Sequence, residues 1–333
     1  MSTPALSIVV PTYNRRELLS RTLPALLQRA REEGPAEVIV VVDGSADGTL
    51  EILAGYVHDP GLQVIFQENR GLAAARNRGT AAAAAEAVLF LDDDMLLDEG
   101  ALAQHRAAHA PEGERVVFGS LGLAPGPRRS FLKEGVEVWG EQVRERLSAP
   151  GYRFRFDDCH FGHASVSRSL LRSRGGFDET YVKFGNEDYD LGWRLIQASA
   201  EMRFLPEAVA RQIYDKDMPR WLRDCQCVGE ADQVLAAKHP LLRSHLRLSA
   251  LPEHPLRRLA RRSGLSAADP LAPLWALLES SLSRLERRGA RGRWLGMAQS
   301  LVGERRYWMG VRSRSGEMPS VASSRQARSR SVA

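Results

Sequence analysis

The sequence predicts an α/β fold, in which a mainly parallel sheet is flanked by helices and followed by a helical region. Three observations support it. The first hundred residues alternate short β-like runs with helical patterns, three aspartates directly follow an apolar run, and the periodicity is helical from Pro219 onward. At 333 residues, with 44% hydrophobic content, the chain can form one large domain or two.

Each predicted strand is a short apolar run bounded by turn residues, and each predicted helix is a longer amphipathic stretch. In chain order, the first half contains strand 6–10, helix 17–33, strand 38–42, helix 50–57, strand 62–66, helix 72–86, strand 87–91, helix 99–109 and strand 116–119. Strict alternation of this kind is typical of parallel strands joined by crossover helices.

The second half begins with a Pro-, Gly- and Arg-rich stretch, and its amphipathic segment 131–147 is expected to cross the surface as a loop and helix that cover a cleft. The elements predicted after it are strand 164–167, a short helix, a helix from near Asn186, closing strands 202–205 and 209–213, and helices 221–237, 271–288 and 294–311. We therefore expect a domain over residues 1–215, a helical region over 216–315 and a disordered basic tail over 316–333.

The cysteines and the amino terminus exclude several classes of protein. Three cysteines without a CxxC pair indicate neither a disulfide framework nor a structural zinc site, so a reducing compartment is expected. The first residues lack the basic region of a signal peptide, and no apolar stretch reaches the roughly 18 residues of a membrane span. The prediction is a cytoplasmic location.

The net charge of +5 is unevenly distributed. Residues 253–333 contain 16 Arg, no Lys and 6 acidic residues, a local charge of +10, whereas the first 252 residues carry −5. Such a basic region can bind anionic lipid or nucleic acid, and the alternative is a solvated helical face. Because 305–312 mixes cations with aromatic residues as interfacial helices do, we expect peripheral attachment to the inner membrane face rather than nucleic-acid binding. The alternative is a helix that packs on the domain predicted over residues 1–215.

Asp92, Asp93 and Asp94 follow the apolar run 87–91, so a buried strand delivers three carboxylates to its carboxyl end. Open α/β sheets bind ligands at that end of the strands. Adjacent carboxylates repel unless donors or a cation compensate them, and Mg²⁺ or Mn²⁺ prefers oxygen ligands of this type. The cluster predicts a metal site for phosphate, and the alternative is an acidic turn that caps the next helix.

Polar side chains also follow the first two predicted strands. Pro11, Thr12 and Asn14 end the first strand, where Pro cannot continue the ladder and the other two offer hydrogen bonds. Asp43 ends the second strand at the same edge and can accept from a ribose hydroxyl or a base N–H. Ordinary turns with helix caps are the alternative for both segments.

Two further charged segments lie on predicted helices. Arg76 is in an Ala-rich helix opened by Gly71, and its guanidinium suits a phosphate oxygen, although a surface arginine is the alternative. Glu187 and Asp188 follow Asn186 at the start of another helix, where acids can simply complement the helix dipole.

Taken in order, these motifs resemble the family 2 glycosyltransferases from Leu6 to about Tyr214. The matching segments are Pro11-Thr12-Tyr13-Asn14, Asp43-Gly44-Ser45, Asn69-Arg70-Gly71 with Arg76-Asn77, Asp92-Asp93-Asp94 and Gly185-Asn186-Glu187-Asp188. The resemblance implies a GT-A fold that binds a nucleotide-sugar, usually a UDP-sugar, with Mn²⁺ or Mg²⁺ between the aspartates and the diphosphate. Residues 1–120 would form the nucleotide-sugar half and 121–215 the acceptor half.

The resemblance also implies roles for single residues on the donor side. Thr12 and Asp43 would contact uridine, with Pro11 and Asn14 beside them in the same site, and Arg76 would contact the nucleotide. The carboxylates that follow the fourth strand would divide between ribose and metal, with Asp92 or Asp93 on the ribose and Asp94, together with Asp92, on the metal.

On the acceptor side, the resemblance implies an inverting transfer in which Asp188 is the general base, with Glu187 as the second choice. The segment around Gly176 resembles an acceptor-side segment whose glycines let backbone approach the sugar. Phe177 and Trp193 would stack on a sugar face, and core packing is the alternative for both.

The chain departs from the family pattern at two positions. Val42 stands where many relatives have a second Asp, and Arg211-Gln212 stands where many have His. The third metal ligand therefore stays open among Gln212, Asp215, His163 and water.

Two other classes of protein compete with this interpretation. A sugar-nucleotide pyrophosphorylase would carry a glycine-rich segment ending in Arg after the first strand, where this chain has 11–14. A non-catalytic nucleotide-sugar binding protein with a basic membrane or nucleic-acid arm would not need both acidic segments. The donor sugar and the acceptor, whether glycan, lipid-linked or other, are not specified by the sequence.

Overall fold

The computed structural model describes residues 4–110, 113–126, 129–182, 185–250 and 252–315. The predicted disordered tail 316–333 lies outside them. The chain forms two compact units. The first runs to Lys216 and also includes Glu286–Gly292, and the second consists of Asp217–Leu285 and the residues from Arg293 onward.

The first unit is built on one eight-stranded sheet in the order β3-β2-β1-β4-β7-β6-β8-β5. Its elements in chain order are β1 Leu6–Thr12, α1 Arg16–Glu32, β2 Ala36–Asp43, α2 Thr49–Ala54, β3 Leu62–Gln67, α3 Leu72–Ala82, β4 Ala87–Leu91, β5 Met95–Leu97, α4 Ala101–His109, β6 Arg115–Leu123, α5 Phe131–Leu147, β7 His163–Ser167, α6 Arg168–Ser173, α7 Glu187–Gln197 and β8 Glu201–Gln212.

The first four strands in the sheet order are parallel, as the crossover pattern predicted, and β7 is inserted antiparallel between β4 and β6. The α/β fold with a mainly parallel mixed sheet is therefore confirmed. The carboxyl ends of β1, β2 and β4 lie at one edge, which brings the polar segments after Thr12, Asp43 and Leu91 to the same side of the sheet.

The sheet is buried on both faces, because alternate residues along each central strand enter different cores. Val9 and Phe90 belong to the core beneath α3, whereas Ile8 and Leu89 belong to the core beneath α1. The near-continuous apolar runs of β1 and β4 follow from this two-sided burial.

The structure corrects several predicted elements. The two predicted closing strands are one strand, β8, whose pairing with β6 shifts register between Gly119 and Ser120. The helix predicted over 72–86 ends at Ala82, because Ala83 has an extended backbone. Strand β5 was not predicted, since its three residues are too few to show a period and are defined by pairing with β8.

The second unit contains four α-helices among its described residues: α8 Met218–Lys238, α9 Pro255–Leu265, α10 Ala272–Arg287 and α11 Arg293–Ser315. Helices α8 and α11 approach so closely that a Cβ at Gly229 would lie 2.0 Å from the Tyr307 carbonyl oxygen. A Cβ at Gly310 would lie 1.9 Å from the Gln226 carbonyl oxygen. Only glycine permits this contact.

The predicted interfacial segment 305–312 is instead part of this core. Tyr307, Trp308 and Val311 are buried, and the Tyr307 hydroxyl donates to Asp232 at 2.6 Å. The expectation of a membrane-facing helix at this segment was therefore wrong, because its aromatic rings pack inside the unit. In the described residues, no helix has both the length and the apolar content that a bilayer crossing needs.

The segment Glu286–Gly292 returns the chain from the second unit to the first. The Phe131 amide at the start of α5 donates to the Ala290 carbonyl at 3.1 Å. Gly289 has φ +69°, in the left-handed region that favours glycine, and it lies against the Arg129 carbonyl.

Candidate active site

The turn after β4 presents three carboxylates in three different environments. The Asp92 amide donates to the Gly162 carbonyl at 3.0 Å, which ties the turn to the start of β7. A Cβ at Gly162 would lie 2.5 Å from Asp92 Oδ2, so the glycine makes room for this carboxylate.

Asp93 is buried and bound to the end of β1. Its Oδ2 accepts from the Thr12 hydroxyl at 2.7 Å, and Arg15 lies 4.0 Å from its Oδ1. Burial raises the pKa of Asp93 to about 7, although the charge of Arg15 opposes that shift. In this structure, Thr12 and Asp93 thus satisfy each other across the strand ends.

Asp94 has the features of a cation ligand. Its Oδ2 accepts from the Gln212 side-chain amide at 3.0 Å, but its buried Oδ1 has no hydrogen-bond partner among the described residues. Burial, and then the negative charge of Asp92, raise the pKa of Asp94 to about 6. A carboxylate oxygen left without a donor beside a second carboxylate fits a hard divalent ion.

Asp92 and Asp94 alone would not complete the coordination of a cation, which would need further oxygen ligands. Among the residues that the structure describes, no group of three or more His, Cys, Asp or Glu side chains is arranged to hold a metal ion. A cation at Asp92 and Asp94 would therefore need the Gln212 amide oxygen, water or the ligand itself.

The structure separates the candidates for the third ligand. Gln212 lies against Asp94, whereas both oxygens of Asp215 pair with Arg15 at 3.0 Å. His163 is buried and hydrogen-bonds to His105 at 3.1 Å, within a cluster of histidines rather than beside Asp94.

Arg76 joins the two acidic segments. Its Nη2 donates to Asp92 Oδ1 at 3.1 Å, and its Nη1 donates to Asp188 Oδ1 at 2.6 Å and to Glu187 Oε1 at 3.4 Å. The guanidinium is fully buried, and burial alone would lower its pKa. The three carboxylates outweigh that effect and hold the pKa of Arg76 above its ordinary value.

The carboxylates at the start of α7 differ in accessibility. The Asp188 side chain is 18% exposed and that of Glu187 is 7% exposed. The Phe161 amide donates to Asp188 Oδ2 at 2.9 Å, and donors of this kind stabilise an ionised carboxylate. Burial, and then the charge of Asp188, raise the pKa of Glu187 to about 7.

Because one guanidinium binds both Asp92 and Asp188, the carboxyl end of β4 and the amino end of α7 meet at one place. From the sequence alone, Gly185 and Asn186 were also consistent with an ordinary helix cap that has no role in a site. The Phe161 amide was missed by the sequence analysis, since a backbone donor leaves no residue-type signal.

The polar residues after β1 and β2 hold the neighbouring turns together. Asp43 accepts from the amides of Arg70 at 2.8 Å and Gly71 at 2.9 Å, which fixes the turn before α3. The Asn14 side chain accepts from the Ala46 amide at 2.8 Å. Pro11 lies inside β1, in register with Val41, rather than after the strand.

The structure corrects one acceptor-side prediction, that for Phe177, and shows what surrounds Gly176. Phe177 is buried, with its ring 5.1 Å from Phe90 and 5.2 Å beneath the Arg76 guanidinium, so it packs in the core rather than on a sugar. Gly176 has φ +66°, and a Cβ there would lie 2.6 Å from Asn77 Oδ1. This glycine therefore permits close packing on α3. Trp193, the other aromatic residue predicted on the acceptor side, is half-buried.

The sheet, with its acidic cluster after β4 and its second acidic pair joined through Arg76, has the GT-A type of fold. The description "Glycosyl transferase family 2" matches residues 7–174, half of the sequence, and "N-terminal domain of galactosyltransferase" matches residues 141–216. The chain belongs to glycosyl transferase family 2.

Curated relatives include validoxylamine A glucosyltransferase of Streptomyces hygroscopicus subsp. limoneus, which is 32% identical over 240 residues. That match covers 65% of this chain and 52% of the relative. Pre-mycofactocin glycosyltransferase of Mycobacterium tuberculosis is 31% identical over 243 residues, covering 70% of this chain and 48% of the relative. The match thus spans about half the length of these relatives.

Solved structures share the fold at lower identity. The mannosyltransferase PcManGT of Pyrobaculum calidifontis, in complex with GDP-Man and Mn²⁺, superposes with a TM-score of 0.57 at 19% identity, covering 96% of this chain and 89% of that one. TarS 1-349 of S. aureus superposes with a TM-score of 0.51 at 18% identity, covering 95% and 92%.

Proposed function

We propose that this chain transfers a sugar from a nucleotide-sugar, a UDP-sugar, to an acceptor hydroxyl with inversion at the anomeric carbon. The observation that carries the proposal is that the Arg76 guanidinium binds both Asp92 and Asp188. It thereby brings two carboxylates that can bind a cation, Asp92 and Asp94, and a candidate general base into one site. The fold is shared with TarS in complex with UDP and with UDP-GlcNAc, and with PcManGT in complex with GDP-Man and Mn²⁺.

On the donor side, Asp94 and Asp92 would hold Mn²⁺ or Mg²⁺, with the adjacent Gln212 amide as the protein group best placed to complete the set. The ion would stabilise the negative charge that develops on the diphosphate leaving group. Thr12, Asn14 and Asp43 lie at the same sheet edge and would hold the nucleoside, either by direct contact or by fixing the turns around it.

On the acceptor side, Asp188 would remove the proton of the attacking hydroxyl. Each of its oxygens accepts one hydrogen bond, from Arg76 and from the Phe161 amide, and each retains a lone pair for another partner. These two donors fix the carboxylate in orientation. The greater exposure of Asp188 favours it over Glu187 as the group that meets the acceptor.

The test is a panel of UDP-sugars with Mn²⁺ or Mg²⁺, scored for nucleotide release in the presence of candidate acceptors. Asp188→Asn is expected to lower kcat about 10²–10⁴-fold while leaving UDP affinity unchanged, because the general base is lost and the donor-side groups are kept. Asp94→Ala is expected to abolish metal-dependent binding of the nucleotide-sugar.

Asp98→Asn is the matched control, since Asp98 lies four residues beyond Asp94 and pairs with Arg211. We expect it to behave like the wild type. Turnover that needs no metal and survives both Asp94→Ala and Asp188→Asn would refute the proposed mechanism.

A further inference from the structure

Helix α9 buries its small residues and leaves its larger apolar residues partly exposed. Its buried residues are Ala260, Ser263 and Gly264, whereas none of its three leucines is buried. Leu256, Leu259 and Leu265 are 47%, 41% and 40% exposed. A surface helix ordinarily turns its large apolar side chains to the core, so these leucines require another explanation.

Close packing accounts for the small inner residues. A Cβ at Gly264 would lie 2.5 Å from the Arg305 carbonyl oxygen and 2.8 Å from Trp308 Cβ, so α9 can approach α11 only with glycine there. Leu259 and Leu265 are not among the buried residues of the helix, so a large part of each side chain is available to another partner.

The same outer surface of α9 is cationic. Its sequence contains four arginines and no acidic residue, and Arg257, Arg258 and Arg262 are exposed. Arg258 and Arg262 are one turn apart, and Leu259 and Leu265 lie three residues to either side of Arg262. Exposed arginines and leucines thus alternate on one helix face.

Three of the four α9 arginines donate hydrogen bonds within the protein without using all of their N–H groups. Arg257 donates to the Ser300 hydroxyl at 2.8 Å, and Arg258 donates to the Pro252 carbonyl at 2.7 Å. Arg261 donates to the Ala250 carbonyl at 2.8 Å and stacks over Trp308 at 4.1 Å. A guanidinium has five N–H donors, so each retains several for an anionic oxygen.

We propose that the outer face of α9, formed by Arg258, Leu259, Arg262 and Leu265, docks this protein on an anionic lipid surface. Lipid phosphates match the arginines, and the boundary of the acyl region matches the leucines between them. This surface lies in the second unit, and its proposal does not rest on the sugar-transfer reaction.

Two other occupants fit the surface less well. A second copy related by a two-fold axis would place the arginines of one α9 against those of the other. Nucleic acid would match the arginines, but its phosphate backbone would leave the leucines without an apolar partner.

The test is co-sedimentation of the full chain with vesicles of phosphatidylcholine, and of equal parts of phosphatidylcholine and phosphatidylglycerol. The wild type is expected to bind the anionic vesicles and to dissociate as salt is raised. Arg258→Glu with Arg262→Glu is expected to lower the partition coefficient about tenfold or more. Leu259→Ser with Leu265→Ser is expected to lower it at every salt concentration.

The matched controls are Arg223→Glu with Arg243→Glu, which make the same change in net charge at other exposed positions, and Leu241→Ser, since Leu241 is 75% exposed. Both controls are expected to bind as the wild type does. Circular dichroism confirms that each variant is folded.

Several results would overturn the proposal. They are equal binding to neutral vesicles, an equal loss of binding in the controls, and wild-type binding by the α9 variants. If the wild type did not bind vesicles but dimerised with increasing concentration, and the α9 variants did not dimerise, the surface would be assigned to a second copy. If the α9 variants lost only binding to duplex DNA, it would be assigned to nucleic acid. Nucleotide release with a soluble acceptor is expected to be the same in all these variants, so a failure here is distinct from a failure of the sugar-transfer proposal.

Discussion

At the scale of single residues, Arg76 determines how the site is organised. A buried charge left without a counter-charge is strongly unfavourable, and here the buried guanidinium is paired with buried Glu187 and with the partly exposed Asp92 and Asp188. The planar guanidinium uses two nitrogens to reach acidic groups from different elements. A lysine ammonium is a single point charge and cannot span them in this way.

Arg76→Lys is therefore expected to lower both stability and activity. Removing one partner of a buried charge network destabilises a protein by about 3–5 kcal/mol, and lysine should recover only part of that. Denaturant unfolding measures the first effect, and the rate of nucleotide release measures the second.

The control is Arg78→Lys, because Arg78 is exposed on the same helix two residues away. It should change the free energy of unfolding by less than about 0.5 kcal/mol. If Arg76→Lys behaved like this control, the bridge would not hold the two acidic segments together.

At the scale of elements, the packing of the helices in the second unit depends on glycine. Gly229 on α8 and Gly310 on α11 each face a backbone carbonyl of the other helix at a distance that leaves no room for a methyl group. Helices that approach so closely gain backbone contacts along their length, and they are sensitive to one added carbon.

Gly310→Ala is expected to force α8 and α11 apart and to destabilise the protein by about 1–3 kcal/mol, despite the higher helix propensity of alanine. The control is Gly296→Ala on the same helix, where an added Cβ meets no atom within 4 Å. That change should raise the free energy of unfolding by up to about 1 kcal/mol. Thermal and denaturant unfolding measure the stability of both variants. If Gly310→Ala were as stable as Gly296→Ala, the packing argument would be contradicted.

At the scale of the whole molecule, buried histidines and buried carboxylates respond to pH in opposite directions. His105, His109 and His163 form a hydrogen-bonded cluster around Ser165 and Ser120, and burial lowers the pKa of each. Burial raises the pKa values of Asp93, Asp94 and Glu187, so protonation of these three groups at low pH favours the folded state.

His109 gives the clearest test, because burial, and then the charge of Arg115, lower its pKa from 6.5 to about 4. As pH falls below 6.5, the unfolded chain takes up a proton that folded His109 does not. The contribution of His109 to stability therefore falls by up to about 1.4 kcal/mol per pH unit until its folded pKa is reached.

His109→Gln should accordingly be most destabilising at neutral pH, and its deficit against the wild type should shrink as pH is lowered toward 5. Urea unfolding of both proteins across this range is the measurement, with His58→Gln at an exposed position as the control. A deficit that stays constant with pH would show that His109 titrates normally when folded.

The sequence predicted those strands and helices that a local pattern of residues determines. The strands carrying Thr12, Asp43 and Leu91 are long apolar runs, and their order along the chain places their carboxyl ends together. Helix α5 also begins and ends where its amphipathic pattern does. Strand β5 and the single strand β8 depend on pairing between distant segments, which no local pattern records.

Side-chain roles were less predictable than positions. A buried Phe177 and a sugar-facing Phe177 have the same sequence, and only the packing of Phe90 against the ring distinguishes them. In the same way, the aromatic residues near Trp308 have the composition of an interfacial helix but lie in a core.

The return of Glu286–Gly292 to the first unit affects how the protein can be divided. A fragment cut after Lys216 would contain every strand of the sheet but would lack the Ala290 carbonyl that accepts from the Phe131 amide. The amino end of α5 would then lose its covering segment. A truncation that ends at Lys216 is therefore expected to be less stable than the same fragment with residues 286–292 supplied in trans, and urea unfolding of the two would show the difference.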